Sequence, residues 1–167
     1  MSKLDLITHF YDYNEWANDR LLDVASGLSA DELGAGRGAS FDSILSSFAH
    51  IVAGQIVWLE RWVGGENATP LLELQQMPDL GTVRDSFLAS HADLRGFIVG
   101  LSDDRLEAPL DFRDSRGGQY SRPLWQLMTH VANHGTYHRG EIAMMLTGAG
   151  HSPGDLDFSF WEYEHHP

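Results

Sequence analysis

Three histidines, His130, His134 and His138, recur at intervals of four within one stretch of this 167-residue chain. On an α-helix, neighbours in this set differ by about 40° around the axis and about 6 Å along it, so they form one stripe. Two imidazoles at i and i+4 project the same way and can share one divalent ion. All three cannot easily do so, because the outer pair lies about 12 Å apart along the axis. The helix therefore offers two ligands, and a third must come from elsewhere. His50 is the candidate: it sits between Phe48 and Ile51, on the apolar side of an earlier helix. A buried imidazole needs a partner, and facing helices of a bundle are where metal sites are built. Three His with an open position is the pattern of a catalytic rather than a structural divalent site. Spacing alone leaves open which two of the three helical His would serve. It also leaves a metal-free, purely structural His stripe as the competing reading.

Other chemistries find less support. The chain has no Cys, which excludes a disulfide framework, a thiolate zinc site and a cysteine nucleophile. HExxH, GxSxG and a phosphate-binding Gly loop are absent. Glu162-x-x-His165 matches half of a di-iron motif that has no second copy. Eleven basic residues, only one of them Lys (Lys3), face 24 acidic ones for a net charge of −13. Such a surface is a poor partner for a phosphate backbone, so no nucleic-acid partner is expected. No run approaches the roughly 20 apolar residues of a membrane span. Met1 to Asn18 carries Asp5, Asp12 and Glu15 and does not read as a signal peptide, so a cytoplasmic location is expected.

Four segments have the three-four apolar spacing of amphipathic helices that would position the histidines. They run near residues 5–28, 41–63, 83–101 and 123–147. The second opens near Ser40 and stops at Gly64-Gly65, and a loop with Pro70 and Pro78 follows. Thr82-Val-Arg-Asp85 resembles the cap of the third. Ser29-Ala-Asp-Glu32 has capping-box form and predicts a short extra turn, and Gly34, Gly36 and Gly38 mark a loop. Pro109 to Arg122, around Asp114-Ser-Arg-Gly-Gly118, predicts a short β-hairpin or extended loop before the last helix. No repeat or linker divides the chain. The expectation is an all-α fold, a single four-helix-bundle domain over residues 1–167.

The stretch Arg122-Pro-Leu-Trp-Gln-Leu-Met-Thr-His-Val-Ala-Asn-His-Gly-Thr-Tyr-His-Arg-Gly-Glu141 closely resembles the final-helix signature of the DinB/YfiT-like superfamily. Tyr13-Asn-Glu-Trp-Ala-Asn18 resembles that family's first helix, and Phe48-Ala-His50 with Trp58 and Arg61 its second. Pro153-Gly-Asp-Leu-Asp-Phe158 resembles its usual ending. The resemblance implies an up-down-down-up bundle, often homodimeric, with one divalent metal, usually nickel or zinc, on three His. It assigns the ligands to His50, His134 and His138, and makes His130 a frequent family His outside the ligand set. The family name derives from damage-inducible genes, which links it to stress. Some relatives are transferases or isomerases that use small cellular thiols, and many have no assigned activity. The expected function is a metal-dependent enzyme with a small-thiol cosubstrate. The alternatives are a metal-dependent hydrolase and a non-catalytic, stress-linked metal-binding protein.

Neighbouring residues have plainer expectations. Arg139 points about 100° away from His138 and is expected to pair with a carboxylate such as Glu60 or Asp157. Tyr137 packs or lines the pocket. Asn133 and Glu141 fall off the His stripe and read as structural or surface residues. Trp58 and Trp125 read as core, and His165-His166 as a solvated tail.

Overall fold

The computed structural model describes residues 1–64, 71–114 and 117–166. Four long helices dominate it: α1 (Lys3–Ala25), α3 (Ile44–Gly64), α5 (Leu80–Val99) and α7 (Leu124–Gly148). Short helices α2 (Ala30–Gly34), α4 (Leu71–Leu74), α6 (Asp103–Glu107) and α8 (Phe158–His165) link or flank them. Strands β1 (Pro109–Arg113) and β2 (Gln119–Pro123) pair antiparallel, Pro109 opposite Pro123, as the hairpin expected before the last helix. No helix among the described residues is long and apolar enough to cross a membrane. Gly65, Pro70, Ser115 and Arg116 lie outside the described residues.

Local chemistry sets the boundaries. At the start of α1, Ser2 Oγ accepts the Asp5 N–H while the Asp5 carboxylate accepts the Ser2 N–H. The same reciprocal box, Ser29 with Glu32, opens α2 as expected. Two starts differ from expectation. Helix α3 begins at Ile44 rather than near Ser40, because Ser43 Oγ accepts the Ser46 N–H and Asp42 takes a left-handed turn that a helix cannot contain. Helix α5 begins at Leu80, because Asp79, not Thr82, is its cap: the Asp79 carboxylate accepts the Thr82 N–H at 2.8 Å.

Side-chain contacts fix the direction of each helix. Tyr11 donates to the Met128 carbonyl near the start of α7, while Leu21 and Leu22 share a cluster with Met145 and Leu146 near its end. Helices α1 and α7 are therefore parallel. Phe48 meets Phe87, and Trp62 stacks on Phe97, so α3 and α5 are parallel too. Arg84 pairs with Asp23 and Arg95 with Glu15, which sets α5 antiparallel to α1. His50 meets His134, and Trp58 meets His130, so α3 runs antiparallel to α7. The result is the up-down-down-up bundle.

Two apolar clusters fill its ends. One gathers Phe48, Phe87 and Leu146, the other Trp62, Leu106 and Met128. Between them lies a buried polar belt of Asn14, Asn18, Gln55, Ser90, His91 and Arg139. Arg139 does not form the carboxylate pair expected of it. Its turn of about 100° from His138 carries it towards α1, where Nη1 donates to Asn14 Oδ1 and Asn18 Oδ1 and Nη2 donates to Thr136 Oγ1. Burial draws its pKa down to about 10, which leaves it charged at neutral pH. Gly135 makes this possible, because a Cβ there would lie 2.8 Å from both Arg139 Nη1 and Asn14 Oδ1.

Candidate metal centre

Helix α7 presents His134 and His138 one turn apart, and the antiparallel α3 brings His50 against them. His50 Nε2 lies 2.9 Å from His134 Nε2. The His50 ring centre is 4.7 Å from that of His138, and the His134 and His138 rings are 4.5 Å apart. One nitrogen from each of the three lies within 4.8 Å of the others. His130 continues the stripe but stays outside the group: its ring sits 6.0 Å from His134 and packs edge-on against Trp58.

Residues around the three imidazoles orient them. His138 Nδ1 is 2.8 Å from a Glu141 carboxylate oxygen, so Nδ1 carries the proton and Nε2 is left with a bare lone pair. Ser40 holds Glu141 in turn, its Oγ and its N–H both donating to Oε1. Burial pushes the Glu141 carboxyl up, and the hydrogen bonds from Ser40 and His138 outweigh it, so the group stays below its ordinary range. Gln75 Nε2 lies 2.6 Å from His50 Nδ1, so in this orientation the amide donates to Nδ1. With the amide N–H facing Nδ1, His50 keeps its proton on Nε2 and donates to His134. With the amide oxygen facing it, Nδ1 carries the proton and Nε2 is bare. Phe41 stacks on His50, ring centres 3.7 Å apart, and meets His138 edge-on. The loop that delivers Ser40 and Phe41 turns through two left-handed residues, Gly38 at φ 75° and Asp42 at φ 62°. Asp42 closes it by accepting the Arg37 N–H on its carbonyl and the Gly38 N–H on its carboxylate.

The donor set fits a divalent ion. Burial, helped by the neighbouring imidazoles, lowers the pKa of His50 to about 4 and of His134 to about 3, so both are neutral at pH 7. Metal ligands must be neutral imidazoles. Metal–nitrogen bonds of about 2.0–2.1 Å at a tetrahedral angle put ligand nitrogens about 3.3–3.4 Å apart; the 2.9 Å between His50 and His134 is a hydrogen bond in this structure, and an ion would need the two nitrogens to part by about 0.4–0.5 Å.

The depressed pKa values also predict acid sensitivity. Above about pH 6.5 both imidazoles are neutral in the folded and unfolded chain, and they cost nothing. As pH falls below that, the unfolded chain binds protons that the folded one refuses. Stability drains away until the folded pKa values of about 4 and 3 are reached. Urea midpoints of metal-stripped protein should fall over this window, and less steeply in His50→Phe and His134→Phe. An equal slope in these variants would contradict the assignment.

A second group, Glu15, Asp19 and His91, also comes within 4.8 Å across the bundle. Its hydrogen bonds argue against a cation. Arg139, always a donor, occupies Asn18 Oδ1, which turns the Asn18 Nδ2 towards His91 Nε2 at 3.3 Å. His91 Nε2 must therefore accept, so the proton sits on Nδ1, the nitrogen facing the carboxylates.

The structure brings together His50, His134 and His138, the three that the family resemblance names, and leaves His130 outside the group. Sequence reasoning passed over Glu141, although His138 and Glu141 at i and i+3 are helix neighbours by spacing alone. Ser40, Phe41 and Gln75 carry no local signal, because their approach depends on two loops. Tyr137, 61% exposed, lines the rim, with its ring edge-on to His138. Trp58 and Trp125 are partly buried, close to expectation; His165 and His166 are exposed but not a free tail, because α8 runs to His165 and their rings pack on Trp161, with His166 also against His9.

The sequence profile of the DinB family matches residues 1–166. The chain is also similar to the protein DinB of Bacillus subtilis (strain 168), with 26% identity over 163 residues that cover 94% of each chain. The chain belongs to the DinB family.

Proposed function

We propose that this member of the DinB family holds one divalent transition-metal ion, nickel or zinc, on His50, His134 and His138, and is a metal-dependent enzyme of transferase or isomerase type with a small-thiol cosubstrate. The observation that carries the reading is the convergence of three imidazole nitrogens from two helices, two of them on imidazoles held neutral by burial. An ion on three neutral ligands keeps its full charge, and the chemistry it supplies is the acidification of a thiol or water at its open position. The chain's own residues prepare that position. Glu141 keeps the His138 proton on Nδ1, and Gln75 would do the same for His50 with its amide turned so that Oε1 faces Nδ1. Phe41 covers one face of His50 and keeps water from it. The absence of Cys means that any nucleophilic sulfur comes from a cosubstrate.

Titration of the cobalt- or nickel-substituted protein with low-molecular-weight thiols tests this. A saturable sulfur-to-metal charge-transfer band is expected. If no thiol perturbs the spectrum while metal-dependent ester or amide hydrolysis appears, the hydrolase alternative replaces it. If neither occurs, the chain is a non-catalytic metal-binding protein. The same reading includes a homodimer, supported by the aromatic content of the helical faces. Light scattering that gives an 18.6 kDa particle at micromolar concentration would remove that part.

A further inference from the structure

The segment between α2 and α3 rests its tip on the three histidines, and its backbone is hinged. We propose that Ala39, Ser40 and Phe41 form a flap that closes on the three-His centre when the ion binds and has to open before the ion leaves; this rests on the metal reading given above.

The hinges are Gly38 and Asp42. Asp42, at φ 62°, is the one non-glycine among the described residues in the left-handed region, and Gly38, at φ 75°, stands at the other end of the tip. A residue with a side chain is strained there, and Asp tolerates it through a local hydrogen bond. Here the Asp42 carboxylate accepts the Gly38 N–H. Gly36 makes room for it, since a Cβ there would lie 2.8 Å from Asp42 Oδ2. The Asp42 carbonyl accepts the Arg37 N–H at 2.7 Å and closes the neck of the loop. Arg37 Nη2 donates to the Glu32 carbonyl, and Ser43 is buried, so the neck is anchored. The torsions of Gly38 and the φ of Asp42 lie on the tip side of that neck, and turning them lifts the tip alone. The Asp42 N–H donates to the Ala39 carbonyl at 2.9 Å, which ties the tip to itself.

The tip bears on two of the three ligands. The Ser40 N–H and Oγ both donate to Glu141, whose other oxygen holds the His138 proton. Phe41 stacks on His50 at 3.7 Å and meets His138 edge-on at 5.3 Å. Ala39 adds a methyl against an apolar cluster. Strain at Asp42 favours opening, and these contacts oppose it. A closed flap fixes Glu141 and with it the bare Nε2 of His138. Coupling between two events is reciprocal, so an ion on that nitrogen favours the closed flap. An imidazole bound to an ion also takes up part of its charge, and the electron-rich face of Phe41 attracts it more strongly. Release runs the other way. An ion leaves only after a ligand ring swings aside, and the closed flap keeps His50 under Phe41 and His138 on Glu141.

Zinc is the probe. Hydrogen exchange of the Ser40 amide, the donor to Glu141, is followed by nuclear magnetic resonance on the full-length protein without and with one equivalent of zinc. It should slow at least about fivefold on loading, the lower end of a typical coupling. Asp42→Ala removes the carboxylate that holds the Gly38 N–H and leaves a side chain with no local bond in the left-handed region, while Ser40, Phe41 and all three His stay in place. It should speed Ser40 exchange in the zinc-loaded protein and zinc release to excess chelator by the same factor, and Asp42→Asn should restore both. The exchange comparison on the unsubstituted protein stands whether or not that variant folds. The proposal is overturned if zinc leaves Ser40 exchange unchanged or faster, or if folded Asp42→Ala releases zinc no faster than wild type. If zinc binds wild type and His134→Ala equally, the metal reading itself fails and the flap proposal falls with it.

Discussion

His50→Ala, His134→Ala and His138→Ala should each lower divalent-metal affinity by more than about 100-fold, a larger loss than the 10–100-fold typical when an outer-shell partner is removed. His130→Ala should retain nearly all of it. The contrast follows from position. Each of the first three puts a nitrogen within 4.8 Å of the other two, so removing one leaves two ligands on a site built for three. The His130 ring is 6.0 Å from His134 and packs on Trp58. Its loss removes a neighbour and no donor. Chelator competition on the four purified variants, with circular dichroism to show that the bundle is intact, makes the comparison. A loss in His130→Ala equal to that in His134→Ala, with little loss in His138→Ala, would mean that the other pair of the helical stripe is in use.

Glu141→Ala should reduce metal affinity 10- to 100-fold while leaving the helical content unchanged. The carboxylate holds the Nδ1 proton of His138. Without it the two tautomers compete, and the form with a proton on Nε2 has no lone pair for the metal. Glu141→Gln keeps an acceptor oxygen but loses the charge, so it should fall between wild type and Ala. Ser40→Ala should shift affinity in the same direction by less, because Ser40 acts only through Glu141. If Glu141→Ala binds metal as tightly as wild type, the hydrogen bond has no role in orienting the ligand.

Much of this was legible in the residues themselves. Apolar spacing located all four long helices, because burying one face of a helix needs a recurrence of three and four whatever the partners. Helix geometry alone put His130, His134 and His138 on one side, and the choice of His134 and His138 among them came from the family resemblance. His50 needed the added inference that a polar residue on an apolar face must meet something. The failures have a common cause in choices between competing local signals. Thr82 and Asp79 both have cap chemistry three residues before a suitable N–H, and only the path of the preceding chain selects Asp79. Arg139 carries a charge that seemed to demand a carboxylate, but the helix aims it into a belt where amide and hydroxyl oxygens solvate it instead. Phe41 and Gln75 reach the site from loops, where no periodicity reports which way a side chain faces.

The central claim is that three imidazoles from α3 and α7 hold one divalent ion. Anomalous X-ray diffraction from crystals of freshly purified protein, recorded above and below the absorption edge of whatever metal the preparation contains, addresses it most directly. The predicted result is a single anomalous peak per chain, bounded by nitrogens of His50, His134 and His138. A peak between His130 and His134, a peak at Glu15, Asp19 and His91, or stoichiometric metal in the protein with no peak at the three His would contradict it.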